Sequence, residues 1–355
     1  MSLPLPSDCT IEKKPDLRFV ALRTWVEGFL AAAIMKVEAL PKNAGFRRYF
    51  RLFLSDGSTL LAVDSPCNET DNNPGFVKWA HIFQSLGVRV PRVIASDLMN
   101  GFLLVEDLGR HTLEKALQEG RVEQLYQRAL EALVLLQSHS ANPSLKTLPL
   151  FDKTIRRAKL ANCQTWFIEK LLNVDINRQT QSLLNQFFDT VVEKLESQPI
   201  TVIHEDYQCR NLMVLDNQEI AMLDFQGAFQ GAVAYDAASL LWDCYVEWPM
   251  ERVEKWLHYY YEALCRHAII QPVGMGLFKT WFYASVLQRH LKNTFIFARK
   301  YLRDEEAVYL DYLPRTAGYV LSALSQCDDL KDAHEWWEKI VMPSLDHTLM
   351  SIKSP

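Results

Sequence analysis

At 355 residues, 49% hydrophobic and 23% charged, the chain is long enough for two packed lobes and too apolar for a disordered or low-complexity polymer. Its 43 acidic residues outnumber 38 basic ones, for a formal charge of -5, which argues against a sequence-blind nucleic-acid binder. Seven cysteines, none in C-x-x-C spacing, fit reduced thiols in a cytoplasmic protein better than a disulfide framework or a zinc ribbon. The first residues lack a basic stretch followed by an apolar one, so no signal peptide is expected, and no run is long enough to span a membrane.

After a leading helix, the first hundred residues read as strands. Segments 46–54, 59–65, 88–95 and 101–107 are short, apolar or alternating, and bounded by Gly, Pro, Asn or Asp. Ser55-Asp56-Gly57-Ser58 predicts a hairpin turn, and 74–86 predicts a helix. Past Gly109 the spacing turns helical: Val122, Leu125, Ala129, Leu133 and Leu136, then Leu184, Phe187, Phe188, Val191, Val192 and Leu195. Segments 236–246, 250–268, 276–299 and 316–326 carry helical stripes of Trp, Tyr and Leu that read as core. One island of strands, 200–203, 212–215 and 220–225, interrupts them, with a turn at Asp216-Asn217. The expected fold is α+β: a protein-kinase-like pair of lobes, with a small, mainly antiparallel β lobe (1–105) and a large helical lobe (106–355). The connector near 104–109 is the natural hinge, and clefts between lobes are where small ligands bind.

The chemistry concentrates in 202–215 (VIHEDYQCRNLMVL) and 222–226 (MLDFQ). Asp206 and Asn211 lie five apart on a loop after a strand, and Asp224 ends the hairpin that follows. A carboxylate on a rigid loop can orient an acceptor hydroxyl and take its proton. An amide oxygen and a second carboxylate can hold magnesium on nucleotide phosphates. His204 is expected beneath the loop rather than on substrate. The set H-x-D-x-x-x-x-N, apolar hairpin, D-F is far more specific than any of its pieces. HisGluAsp does not open a zincin helix, because position 208 is Gln. Neither G-x-x-x-x-G-K-[ST] nor G-x-S-x-G occurs, which sets aside P-loop kinases and the usual hydrolase elbow.

These motifs, with GFRRYFR (45–51), LAVDSP (61–66), VPRV (90–93), GFLLVEDLG (101–109), YDAASLLWD (235–243) and LQRHLK (287–292), resemble the aminoglycoside-phosphotransferase and choline-kinase superfamily. Within it the chain is similar to the kinases that phosphorylate the anomeric hydroxyl of N-acetylmuramate and N-acetylglucosamine in peptidoglycan recycling. The resemblance implies ATP and Mg2+ as cofactors, a small amino sugar as substrate, and no membrane, nucleic-acid or obligate protein partner. It implies Asp206 as catalytic base and Asn211 and Asp224 as magnesium ligands. It sets the backbone of Glu106 and Leu108 at the adenine edge and the turn Asn43-Ala44-Gly45 over the phosphates. Arg210 either faces the transferring phosphate or forms an ion pair with Glu205 or a helix carboxylate.

Two positions depart from the kinase pattern. Position 205 is Glu where catalytic loops often carry Arg or Gly, and position 64 is Asp where kinases carry the phosphate-pairing Lys. Arg47, Arg48 and Arg51 are the candidates to supply the missing cation. For the lactyl carboxylate of N-acetylmuramate, Arg289, His290 and Lys292 are the candidates, with an ordinary ion pair of Arg289 as the alternative. Gln208 and Gln226 are expected to hydrogen-bond the sugar, and Asp236 to brace the loop through backbone N–H groups. An aminoglycoside kinase is a second reading. A choline kinase, with Trp242, Trp248 and Trp281 as an aromatic cage, is a third. A nucleotide-binding pseudokinase, suggested by Asp64, stays open as a different class.

Overall fold

A computed structural model describes residues 16–41, 47–66 and 72–353. The chain divides into two compact units, one of Met1–His81 with Pro91–Asp107, the other of Ile82–Val90 with Leu108–Pro355.

In the first unit, helix α1 (Leu17–Glu27) starts where the Asp16 carboxylate accepts the N–H of Phe19 at 3.0 Å, a side-chain N-cap. Leu22 and Val26, four apart and so on one face, are buried against Leu52, Leu54, Ala62, Phe102 and Leu104 of the sheet. That sheet has strands β1 (Ile34–Ala39), β2 (Arg48–Leu54), β3 (Thr59–Asp64), β4 (Val93–Asp97) and β5 (Phe102–Glu106). Their order is β1-β2-β3-β5-β4, every pair antiparallel. The strand alternation of β2 sends Phe50, Leu52 and Leu54 into the core shared with α1. The β2–β3 turn falls at Ser55-Asp56-Gly57-Ser58 as expected. Asp56 accepts the N–H of Ser58 at 2.9 Å, and Gly57 takes a φ of 83° that suits a residue without Cβ. Run 88–95 is strand only from Val93, because Pro91 cannot donate to a ladder. Helix α2 (Asn73–Ser85) matches the helix expected over 74–86.

The second unit is mostly helical. It holds α3 (Leu113–Ala116), α4 (Val122–Ser138), α5 (Lys153–Asn162, continued by π-helical turns over Cys163–Leu171) and α6 (Arg178–Glu196). After a strand region come α7 (Tyr235–Leu241), α8 (Met250–Arg266), α9 (Met275–Asp304), α10 (Leu313–Leu324), α11 (Lys331–Trp336) and α12 (Met342–Lys353). Helix α9 is the axis of the unit: it packs against α5, α6, α7 and α10 and is buried on every face from Trp281 to Phe295. Each large apolar side chain buried this way contributes about 2 kcal/mol.

The strand region positions the chemistry. Strand β6 (Ile200–Ile203) pairs antiparallel with β9 (Phe229–Ala232), and β7 (Leu212–Val214) pairs with β8 (Ile220–Met222). A Cβ on Gly231 of β9 would lie 2.5 Å from Ile203 Cδ1, so a larger residue there requires the Ile203 side chain to shift. The β7–β8 hairpin is shorter than the sequence suggests. Its turn closes with the Leu215 N–H on the Glu219 carbonyl at 3.0 Å.

Candidate active site

Strand β6 ends at Ile203, buried with Phe151 and Tyr235, and the loop 204–211 returns the chain to β7. Both ends of this loop are pinned by buried carboxylates. Asp236, in the first turn of α7, accepts the N–H groups of His204 at 2.5 Å and Glu205 at 3.0 Å, the brace that the sequence suggested. Asp243 does the same at the far end, accepting the N–H of Cys209 at 2.7 Å and of Tyr245 at 2.9 Å. Between them the Tyr207 hydroxyl donates to the Ala129 carbonyl at 2.6 Å.

His204 lies under the loop, as expected. Its Nε2 is 2.7 Å from the Leu223 carbonyl, which can only accept, so Nε2 carries the proton. Its Nδ1 then accepts the Asp206 N–H at 3.3 Å. Burial pushes the ring pKa down, which keeps this tautomer neutral.

Asp206 is gripped at both oxygens. Oδ1 accepts from Arg289 Nη2 at 2.6 Å; Oδ2 accepts from Asn211 Nδ2 at 2.8 Å and from Gln208 Nε2 at 3.1 Å. Burial alone would raise its pKa, but Arg289 and Lys292 outweigh burial and hold it at about 2. Asn211 joins the two halves of the site. Its side chain binds Asp206, while its backbone carbonyl accepts the N–H of Leu223 at 2.8 Å, directly before Asp224. Asn211 thus ties the Asp206 carboxylate to the backbone that leads into Asp224. The Asn211 amide nitrogen is spent on Asp206, which leaves its oxygen for a cation. That oxygen and the exposed Asp224 carboxylate are the hard donors magnesium takes.

Several residues expected at the substrate make contacts within and around the loop. Arg289, 2% exposed, also donates to the Glu205 carbonyl at 3.0 Å and to Gln208 Oε1 at 2.9 Å, so of the two readings the ion pair is the one found. Gln208 is correspondingly buried between Arg289 and Asp206. Lys292 and Lys159 both bind Glu205 Oε1, at 2.8 and 2.6 Å. His290 is fully buried, its ring 5.0 Å from that of Tyr319. Gln226 donates to Asp224 Oδ1 at 2.6 Å. Arg210 forms the helix-carboxylate pair: it lies 2.9 Å from Glu114 of α3, donates to the Tyr312 hydroxyl at 3.0 Å, and stacks 3.7 Å above the Tyr245 ring. The tryptophans build no cage: Trp242 and Trp281 are buried, and Trp248 already faces Arg252 at 5.0 Å.

In the first unit Asp64 is fully buried and is not a bare anion. Arg18 binds it at 2.5 Å, and Arg48 binds both Asp64 and Asp16. Arg51 pairs with Asp107 at 2.6 Å. Arg47 instead reaches the neutral oxygens of Ser65 and Asn73, each at 3.3 Å. The Glu106 N–H binds the Arg92 carbonyl at 2.9 Å, and Leu108 is half-buried in the irregular stretch after β5. Asn43, Ala44 and Gly45 lie outside the described residues. Sequence reasoning missed Arg18, Lys159 and Glu114, whose partners are 46, 46 and 96 positions away, beyond any local pattern.

A pinned loop carboxylate, an amide locked to it and a second carboxylate at a hairpin's exit define a phosphotransferase. The model of the phosphotransferase enzyme family matches residues 36–272, and the chain belongs to that family. Its sequence is 35% identical over 333 residues (90% of this chain, 96% of the relative) to the N-acetylmuramate/N-acetylglucosamine kinase of Pseudomonas aeruginosa. It is 31% identical to the protein of that name from Neisseria meningitidis, over 85% of this chain and 90% of the relative. Solved structures share the fold at low identity. A choline kinase from Cryptosporidium parvum has TM-score 0.59 and 13% identity, covering 91% of this chain and 99% of its own. The aminoglycoside phosphotransferase APH(2'')-Ib, ADP-bound, has TM-score 0.57 and 11% identity, covering 83% and 96%. Among the described residues no helix is long and apolar enough to cross a membrane.

Proposed function

We propose that this phosphotransferase moves the γ-phosphoryl group of ATP to the anomeric hydroxyl of N-acetylmuramate or N-acetylglucosamine. The product would be the sugar 1-phosphate, made in the cytoplasm during peptidoglycan recycling. The observation that carries the chemistry is the joint grip of Arg289 and Asn211 on Asp206; the relatives' names support the acceptor.

Asp206 orients the acceptor hydroxyl and takes its proton late, as the phosphoryl group departs from ADP through a loose transition state. A carboxylate with a pKa of about 2 is a weak base, which suits an anomeric hydroxyl, more acidic than an ordinary alcohol. Asn211 and Asp224 would hold magnesium, which when bound neutralises charge on the nucleotide phosphates. Arg289 and Asn211 keep the base in one orientation, so little reorganisation accompanies the reaction. Residues 1–105 are assigned the nucleotide-covering role, with Arg47 the phosphate-facing cation and the backbone of Glu106 and Leu108 at the adenine. Residues 106–355 carry the base, the metal ligands and the sugar contacts.

The test is ADP release by purified protein with magnesium and ATP, offered N-acetylmuramate, N-acetylglucosamine, kanamycin or choline. Release with the two amino sugars alone is expected. Release with kanamycin or choline in their place would reassign the acceptor, and release with none would refute the proposal.

A further inference from the structure

The catalytic loop carries an acid where the kinase pattern H-R-D carries arginine, and its surroundings are charged in a way that makes this matter. Three cations converge on residues 205 and 206: Arg289 and Lys292 from α9, and Lys159 from α5. Arg289 takes Asp206 Oδ1 at 2.6 Å. Both lysines take Glu205 Oε1, Lys159 at 2.6 Å and Lys292 at 2.8 Å. Lys292 is 7% exposed, so it has little recourse to water. It also acts electrostatically on Asp206, and its Nζ lies 3.5 Å from the Glu205 carbonyl, one residue from the base. Glu205 itself adopts a φ of 76°, a left-handed conformation uncommon for a side chain of its size, and Asp236 and Arg289 hold its backbone there.

We propose that Glu205 is a positioning residue that captures Lys292 and Lys159 and so keeps a second cation, a lysine ammonium beside the Arg289 guanidinium, off Asp206. The inference rests on Asp206 being the base, as argued above. A buried ammonium deprived of its carboxylate seeks the nearest anion, because an unpaired buried charge is costly. With Glu205 neutralised, that anion is Asp206, whose oxygens then point at a lysine instead of the acceptor hydroxyl. The acid at 205 and the lysines at 159 and 292 form a matched set. The loop is thereby held by Lys159, Lys292 and Arg289 of this chain, where kinases with arginine at that position can receive a phosphorylated segment.

The isosteric Glu205→Gln variant and the double variant Glu205→Gln/Lys292→Met separate this role from simple loss of packing. Glu205→Gln is expected to lose kcat on the order of ten- to a hundredfold with little change in ATP affinity. The double variant is expected to recover most of that loss, since the misdirected ammonium is gone. Equal or greater loss in the double variant would overturn the proposal. A crystal structure of Glu205→Gln gives a readout that needs no acceptor: Lys292 Nζ should lie within hydrogen-bond distance of Asp206. Lys292 left in its original place would contradict the proposal even if another acceptor, or none, is phosphorylated.

Discussion

Arg289 Nη2 lies 2.6 Å from Asp206 Oδ1, and the arginine side chain is 2% exposed while the aspartate is 30% exposed. The cation is sealed in the helical core and the carboxylate keeps an open edge. A buried arginine that spends its donors on Asp206, Gln208 and the Glu205 carbonyl fixes the orientation of the Asp206 carboxylate.

Arg289→Ala should therefore reduce kcat on both amino sugars equally, on the order of a hundredfold, with KM for either sugar little changed. The sequence had offered Arg289 as a reader of the lactyl carboxylate. That role would show as a selective rise in KM for N-acetylmuramate, and steady-state kinetics on both sugars distinguishes the two.

Asp206→Asn should retain nucleotide binding and lose turnover by roughly a thousandfold, the scale of a general-base contribution. Calorimetric titration with magnesium and ATP, beside a turnover assay, checks both halves. Near-normal turnover would remove Asp206 as the base.

Asp64→Ala should destabilise the protein without tightening ATP binding. Its removal takes a buried anion from Arg18, which keeps the Asn100 carbonyl, and from Arg48, which keeps Asp16; their side chains are 44% and 29% exposed and can partly rehydrate, so the cost is about 2 kcal/mol. Denaturant unfolding measures this. A marked gain in ATP affinity would mean that Asp64 does repel the phosphates.

Burial, with Arg289 adding to it, pushes the His290 pKa down to about 3 from an ordinary 6.5. The folded chain thus favours the neutral ring and the unfolded chain does not. The associated stability is fully present above pH about 6.5 and is lost as pH falls toward about 3. His204 is shifted the same way. The thermal midpoint of wild type should fall more steeply over that window than that of His290→Phe; parallel curves would contradict the assignment.

The sequence disclosed the parts of the site that are local and hid those that are not. His204, Asp206, Asn211 and Asp224 sit within one loop and hairpin, so spacing alone could read them, and the Asp236 brace was legible because its helix start follows closely. The partners of Arg289, Arg210 and Asp64 depend on which distant segments pack together. Helical spacing showed that 289 and 292 share a face but not that the face is buried. The strands of the first unit were legible from their turns, whereas Pro91 shortened one of them from within. Strand β9, with glycine inside it, and α5, with few apolar residues, gave no clear period.

Anomeric transfer from ATP is tested most directly by phosphorus NMR of the product formed from ATP, magnesium and N-acetylmuramate or N-acetylglucosamine. A phosphate coupled to the anomeric proton is expected, formed by wild type and absent with Asp206→Asn. A phosphate on any other hydroxyl, or the same yield from the variant, would contradict it.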